Sequence, residues 1–226
     1  MDGRVKRNKQ TRGQGRTPDF PRLLGERLCL HFANTVEGPA DDQPEDFLST
    51  YADLVRWSWH AASIDEADVD RLLDAAREHP GRADATFARA LALREAVDRT
   101  FRAIARAATP AGDDLARIHD EHVTALAHAR LGPSGGGFAW SWETGDDDLD
   151  RPIWPVARSA VEVLTDADLS RVRVCPGAGD CGWLFYDTSR NGRRRWCSME
   201  GCGSRVKTRR HYASRHPAGP ADPATR

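Results

Sequence analysis

Apolar side chains recur every three or four positions through most of the first 170 residues, which is the spacing of one helix face. The positions that carry this pattern are Leu24, Leu28, Phe32 and Val36; Phe47, Tyr51, Leu54 and Val55; Phe87, Leu91, Val97, Phe101 and Ile104; and Leu115, Ile118, His122 and Leu126. Further helices are predicted over 63–80 and 155–170, and a strand over 27–32 is the alternative for the first stretch. The pattern predicts a mainly α fold.

Local signals refine this helical pattern at two places. Ser63 and Glu66 form a capping-box pattern that predicts the start of the third helix, and Pro80 predicts its end. The rhythm then breaks at "GPSGGG", after which "FAWSW" alternates aromatic with small residues as a strand does. The sequence therefore predicts one small β-hairpin between residues 138 and 150 in a helical domain over 20–170.

Four of the five cysteines lie close together near the C-terminal end, as Cys175, Cys181, Cys197 and Cys202. Two close pairs separated by fifteen residues have the spacing that a tetrahedral zinc site uses. Each pair closes a tight turn, and the intervening chain folds back to bring the two pairs together. The spacing predicts one structural Zn²⁺ held by these four thiolates.

Two disulfides are the alternative for the same cysteines. The sequence has no apolar stretch long enough for a transmembrane helix, and no apolar segment follows the basic start as it does in a signal peptide. These features predict a cytoplasmic protein without a membrane partner. Because cytoplasmic thiols stay reduced, zinc is favoured over disulfides.

The net charge of −1 conceals an uneven distribution along the chain. Residues 1–18 contain six Lys or Arg against one acid, residues 19–170 fifteen against twenty-nine, and residues 171–216 eleven against three. We therefore expect a disordered basic tail at 1–19, an acidic helical domain, a basic zinc module at 171–216 and a flexible tail at 217–226. The basic excess indicates polyanion binding, with an ordinary solvated surface as the alternative.

The zinc module has its own pattern of predicted elements. Residues 183–190 predict a strand, Asn191-Gly192 a tight hairpin turn, and residues 193–196 the returning strand. Ser204 is predicted to cap a basic helix that ends before Pro217. Trp183, Phe185 and Trp196 are predicted to form a small core, and stacking on bases is the alternative for them.

The stretch "CGWLFYDTSRNGRRRWCSMEGCGSRVKTRRHYASRH" resembles the CGNR zinc finger, which occurs at the C-terminus of bacterial stress-induced transcription regulators. The resemblance covers residues 173–216 and departs at the signature itself, where Cys202-Gly203-Ser204-Arg205 stands for Cys-Gly-Asn-Arg. Serine caps a helix about as well as asparagine, so the fold is expected to survive. A looser resemblance, in "LCLHFANTV", "LRE" and "WPVARSAVEVL", is to the helical ABATE domain that precedes this finger in the family.

The resemblance implies a transcription regulator whose finger contacts DNA. The expected contacts are the basic residues around the zinc, because arginine forks suit phosphate oxygens and guanine edges. They are Arg190, Arg193, Arg194, Arg195, Arg205, Lys207, Arg209 and Arg210. The residue chemistry alone indicates only a polyanion, so an adaptor that binds an acidic protein partner, or RNA, is the alternative function.

The helical domain is expected to sense a small-molecule effector, contact a partner or form a homodimer. His31, Asn34 and Arg94 are polar groups near apolar helix faces, and they line an effector pocket or serve as structural hydrogen-bonding groups. Cys29 is expected to be a buried apolar side chain. No nucleophile motif, phosphate loop or dinucleotide-binding glycine pattern occurs in the sequence, so an enzyme is not expected.

Overall fold

The structure is a computed structural model that describes residues 20–37, 45–143, 145, 148–177 and 181–215. The tails predicted at 1–19 and 217–226 lie outside the described residues.

Helices dominate the described part of the chain, and the mainly α prediction is confirmed. The helices are α1 (Leu28–Ala33), α2 (Tyr51–His60), α3 (Glu66–Glu78), α4 (Pro80–Ala105), α5 (Gly112–Ala127), α6 (Trp154–Asp166) and α7 (Ser204–Arg215). The strands are β1 (Val36–Glu37), β2 (Glu45–Asp46), β3 (Ala129–Ser134), β4 (Gly137–Trp142), β5 (Val172–Val174) and β6 (Leu184–Tyr186). They pair as three antiparallel two-stranded units, β1–β2, β3–β4 and β5–β6. None of the described helices combines the length and the apolar content that a membrane crossing requires.

The long helix α4 is the centre of the helical domain, and α1, α2, α3 and α5 pack on it. Helix α6 packs on α1 and α5 from another side. Large apolar side chains fill the space between these helices, and Phe32 and Trp57 lie with their ring centroids 4.9 Å apart. Cys29 is fully buried in this core, as predicted, and burial raises the pKa of its thiol to about 12.

The first helix is much shorter than the predicted stretch. Only Leu28–Ala33 is helical, and Val36 belongs to strand β1. The third helix is capped by Asp65, whose side chain accepts a hydrogen bond from the Asp68 N–H at 2.8 Å, and not by the predicted Ser63. The Ser63 hydroxyl instead donates to the Ser58 carbonyl at 2.9 Å, so it satisfies a backbone acceptor near the end of the preceding helix.

Helix α5 buries Ile118 as predicted, but the rest of its buried face differs from the predicted one. Leu115 and Leu126 are 38% and 48% exposed, whereas Asp114 and Glu121 are buried. These carboxylates turn inward because arginines of α4 meet them there. Asp114 accepts from Arg99 at 2.7 Å, and Glu121 accepts from Arg89 at 2.6 Å. An apolar pattern cannot reveal a face that is buried through ion pairs.

The hairpin of the helical domain lies nine residues earlier than the predicted start. Strand β3 pairs with β4 from Ala129↔Trp142 to Ser134↔Gly137, and the turn is Gly135-Gly136. Both glycines have positive φ, 57° and 86°, which is the geometry of a two-residue turn that matches the strand twist. The prediction of 138–150 was wrong because it took the glycine run for an interruption and the acidic run after it for the turn.

The pair β5–β6 joins the helical domain to the C-terminal module. Its register is Val172↔Tyr186, Arg173↔Phe185 and Val174↔Leu184. Successive side chains on a strand point to opposite faces. Val172, Leu184 and Tyr186 belong to the core of the helical domain, whereas Phe185 packs with the cysteines. One short sheet therefore contributes to two cores.

Candidate metal centre and basic face

The four predicted zinc ligands converge in the structure. The Sγ atoms of Cys175, Cys181, Cys197 and Cys202 all lie within 4.8 Å of one another. Three of these cysteines are buried, and Cys181 is partly exposed. No other group of three or more His, Cys, Asp or Glu ligand atoms gathers in this way among the described residues.

The spacing of the sulfur atoms fits a tetrahedral zinc site. Cys181 Sγ and Cys197 Sγ lie 3.7 Å apart, as do Cys197 Sγ and Cys202 Sγ. Zinc–sulfur bonds of about 2.3 Å in a tetrahedron place the sulfurs about 3.8 Å apart. All five cysteines of the chain are free thiols, so the disulfide alternative receives no support from the described residues.

The chemistry of the thiols also fits a divalent cation. Hydrogen bonds from Cys181 and Cys197 hold the pKa of Cys175 down at about 2. The hydrogen bond to Cys175 raises the pKa of Cys181 and that of Cys197, and repulsion by the Cys175 thiolate adds to both shifts. Zinc ligands are thiolates, and a 2+ ion removes this repulsion. Zn²⁺ bound here supplies a cross-link between the two cysteine pairs.

Glycines allow the turn of the first cysteine pair. Gly177 has φ +46°, and a Cβ on it would lie 2.6 Å from the Cβ of Cys181. Gly182 has φ +63° directly after Cys181. Only glycine adopts these dihedrals and this close approach without strain. The backbone of the second pair also turns toward sulfur, since the Cys197 N–H donates to Cys175 Sγ at 3.3 Å.

A small apolar core surrounds the cysteines. Trp183 and Phe185 are buried against the cluster, with Leu24 and Trp196 packed around them. The interpretation of these aromatic residues as a core is therefore confirmed. Leu24 comes from the segment before α1, so the N-terminal part of the helical domain covers part of the metal centre.

The predicted turn at Asn191-Gly192 does not close a β-hairpin. Strand β6 pairs with β5, and residues 193–195 are not a strand. Asp187, which the sequence reasoning missed, organises this loop instead. Its buried carboxylate accepts from the Ser189 and Arg194 N–H groups, both at 2.8 Å. Burial would raise the pKa of Asp187, but these hydrogen bonds outweigh it and lower the pKa. The "DTS" pattern of an Asx-turn is the signal that could have revealed this role.

Two regions of the sequence match known protein families. Residues 26–167 match the model described as ABATE, "Putative stress-induced transcription regulator", which covers more than half of the chain. The chain belongs to the ABATE family. Residues 171–215 match the model of the CGNR zinc finger, so the suspected architecture is confirmed, and with it the single structural zinc. No curated protein matches the sequence.

The ABATE domain holds the CGNR finger through residues on either side of α1. Asn34 bonds both backbone groups of Leu184 at the open edge of β6: its Nδ2 donates to the Leu184 carbonyl at 2.8 Å, and its Oδ1 accepts from the Leu184 N–H at 2.9 Å. The Tyr186 N–H donates to the Gly25 carbonyl at 3.0 Å, and the Gly25 N–H donates to His31 Nδ1 at 3.0 Å. Burial lowers the pKa of His31 to about 4, so the ring stays neutral and accepts this bond.

His31, Asn34 and Arg94 are thus all bonded to protein groups. Asn34 bonds the finger, His31 bonds Gly25, and Arg94 pairs with Asp46 of β2 at 2.6 Å and bonds the Thr35 hydroxyl at 3.1 Å. Structural hydrogen bonding was the alternative to an effector pocket for these three residues, and the contacts are of that kind.

Arg194 has a structural position that its sequence context did not indicate. Its guanidinium bonds the carbonyls of Trp196 and Cys197 and pairs with Glu26 of the ABATE domain at 2.7 Å. It also lies over the Phe185 ring, 5.0 Å from the centroid. Arg194 therefore joins the second cysteine pair to the ABATE domain, whereas its neighbours Arg193 and Arg195 are exposed.

The remaining predicted DNA contacts lie on the loop after Asp187 and on α7. Arg190, Arg193 and Arg195 are exposed on the loop. Helix α7 continues from a π-helical turn at Met199–Gly203, which is capped by Ser198 and not by the predicted Ser204. The α7 positions are Arg205, Lys207, Arg209 and Arg210, and the first three have exposed side chains. Arg205 also donates to Cys202 Sγ at 3.6 Å, which ties the start of the helix to the metal centre.

Arg173 is a basic residue of this surface that the sequence reasoning missed. It lies on β5, and with Arg193 and Arg195 it lines one cleft of the finger. The alternation of Val172, Arg173 and Val174 is the signal that could have placed it on the face away from the ABATE core.

Proposed function

We propose that the chain is a transcription regulator that binds duplex DNA through its CGNR finger. The observation that carries the proposal is the set of exposed basic side chains held around the zinc centre by the Asp187 loop and by α7. A cross-linked module keeps these side chains at fixed positions, and fixed positions are what recognition of a regular phosphate backbone requires.

The positive charge of the finger is not neutralised within the module. Of its three acidic residues, Asp187 is buried and binds loop N–H groups. Glu200 faces Arg22 at 3.5 Å, and Asp180 lies outside the described residues. Arg190, Arg193 and Arg195 are exposed, and their charge attracts a polyanion.

Burial of the finger aromatics favours duplex DNA over single-stranded nucleic acid. Single strands are commonly held by stacking of bases on exposed aromatic rings. Trp183 is 8% exposed and Phe185 is fully buried, so neither ring offers a stacking surface. Trp196 is partly covered by the guanidinium of Arg195, 5.4 Å from the ring centroid.

An adaptor that binds an acidic protein is the second candidate function. The acidic ABATE domain itself is such a surface, and the finger already docks on it through Arg194 and Glu26. This docking leaves Arg190, Arg193 and Arg195 exposed, so it does not use the basic surface. The remaining charge suits a longer polyanion, which favours DNA.

The ABATE domain is proposed to receive the regulatory signal, as an effector, a partner or a second copy of the chain. The family description, "Putative stress-induced transcription regulator", supports a regulatory role for this domain. We propose no catalytic role for either domain.

Salt dependence of DNA binding tests the proposal. If about five basic residues meet phosphates, log affinity should fall with log salt at a slope of about −4 to −5. Replacing Arg190 and Lys207 together by glutamine should flatten that slope by about two, measured by fluorescence anisotropy of a labelled duplex. Replacing the exposed Arg117 of α5 by glutamine is the matched control, and it should leave the slope unchanged. If the zinc-loaded chain does not bind duplex even at about 50 mM salt, the DNA proposal is wrong.

A further inference from the structure

A cleft of about 430 Å³ opens in the finger between strand β5 and the loop after Asp187. The described residues that line it are Arg173, Val174, Gly192, Arg193, Arg194 and Arg195. Four of these six residues are arginines, and none is acidic. Among the described residues, the cleft therefore carries charge of a single sign.

Several arginines of the ABATE domain differ from those of the cleft. Arg89, Arg94 and Arg99 each meet a carboxylate at 2.6 or 2.7 Å. In each pair the carboxylate compensates the positive charge of the guanidinium. An arginine without an anion keeps that charge and repels its neighbours.

Three arginines of the cleft lack this compensation. The guanidinium groups of Arg173, Arg193 and Arg195 have no hydrogen bond or ion pair with any residue that the structure describes. The described residues here are 20–177, less the gaps at 38–44, 144 and 146–147, and 181–215. Arg194 is different, because the carbonyls of Trp196 and Cys197 and the carboxylate of Glu26 occupy its donors. The positive charges of neighbouring guanidinium groups repel one another, and a bound anion between them relieves this repulsion.

The cleft is held in place by the rest of the finger. Arg171 donates to the carbonyls of Asp187 at 3.0 Å and Ser189 at 2.9 Å, and the Asp187 carboxylate holds the Arg194 N–H. Arg173 stands on the opposite wall, in register with the buried Phe185. Both walls are therefore fixed before a ligand arrives, which lowers the entropic cost of binding.

We propose that this cleft is a binding site for one phosphate group, held by Arg173, Arg193 and Arg195. Guanidinium groups match tetrahedral oxyanions because two parallel N–H donors meet two oxygens. The phosphate is either a phosphodiester of the DNA backbone or a phosphate of a free small molecule. In the first case the inference rests on the proposed function and refines it: the cleft fixes the finger on the backbone, while α7 contacts base edges.

Inorganic phosphate and a labelled duplex, both added to the zinc-loaded full-length chain, test this inference. In calorimetric titrations at constant ionic strength, phosphate should bind the unaltered chain and bind Arg173→Gln about tenfold more weakly, as expected for loss of one charge-assisted contact. Arg193→Gln, on the exposed loop, should show the same loss in case the β5 variant fails to fold. Arg117→Gln is the charge-matched control and should behave like the unaltered chain. Zinc content, measured for each variant, shows that the finger is intact.

Competition separates the two sources of the phosphate. Phosphate at constant ionic strength should weaken duplex binding of the unaltered chain and of Arg117→Gln, and should have little effect on Arg173→Gln, if the cleft holds the DNA backbone. Phosphate binding without any duplex binding would leave the cleft as a site for a free phosphate compound and overturn the proposed function. Equal phosphate binding by the unaltered chain, Arg173→Gln and Arg193→Gln would overturn the cleft inference, whatever the duplex does.

Discussion

Replacing Cys197 by serine is expected to reduce zinc from one ion per chain to nearly none. Cys197 Sγ lies 3.7 Å from two of the other three sulfurs, and the described part of the chain places no fifth His, Cys, Asp or Glu ligand in this group. Structural zinc stabilises small finger peptides by about 10–16 kcal/mol near neutral pH. The finger should therefore lose its order, which amide hydrogen exchange over residues 171–215 measures together with metal analysis.

The same variant is expected to destabilise the ABATE domain without unfolding it. Val172, Leu184 and Tyr186 belong to its core, and each large apolar side chain that leaves a core costs roughly 1.5–3 kcal/mol. Far-ultraviolet circular dichroism should stay helical while the thermal midpoint falls. Cys29→Ala, which alters the one cysteine outside the cluster, should retain one zinc per chain. Retention of zinc at unchanged affinity by Cys197→Ser would contradict the four-cysteine site.

Replacing Asn34 by alanine is expected to lower the free energy of unfolding by about 2 kcal/mol or more. The substitution removes the partners of both the N–H and the C=O of Leu184, and each buried group left unpaired costs roughly 1–3 kcal/mol. Leu184 is fully buried, so water cannot replace the amide without opening the junction between the domains. Chemical denaturation of the zinc-loaded chain measures the change.

Asn191→Ala is the matched control for this prediction, because Asn191 lies exposed on the finger loop. Its effect should stay within about 0.5 kcal/mol. The measurement also separates the two interpretations of Asn34. A side chain that only lines an effector pocket would leave the effector-free protein as stable as before, and that result would contradict the junction described here.

The metal centre could be predicted from the sequence because its geometry is encoded in local spacing. Two close cysteine pairs define Cys175, Cys181, Cys197 and Cys202 as a set, and the structure brings all four together. The contacts of the finger with the ABATE domain could not be predicted in the same way. Asn34 and Leu184 are 150 residues apart, and nothing in either local sequence indicates the other.

Charged residues limited the prediction of the helical faces. Arg89 and Glu121 are 32 residues apart in the chain, yet their pairing turns the inner face of α5 polar. Arg194 and Arg195 are indistinguishable in the sequence. Only Arg194, however, pairs with Glu26 and donates hydrogen bonds to two backbone carbonyls. Such differences arise from tertiary contacts, so periodicity and composition do not contain them.

We expect duplex DNA to contact the finger and not the helices of the ABATE domain. Hydrogen–deuterium exchange of the zinc-loaded chain, with and without a saturating duplex at about 50 mM salt, tests it most directly. Exchange should become slower at residues 189–196 and in α7 when the duplex binds, with α3 and α5 unchanged. No change in the finger, or protection confined to the ABATE domain, would contradict it.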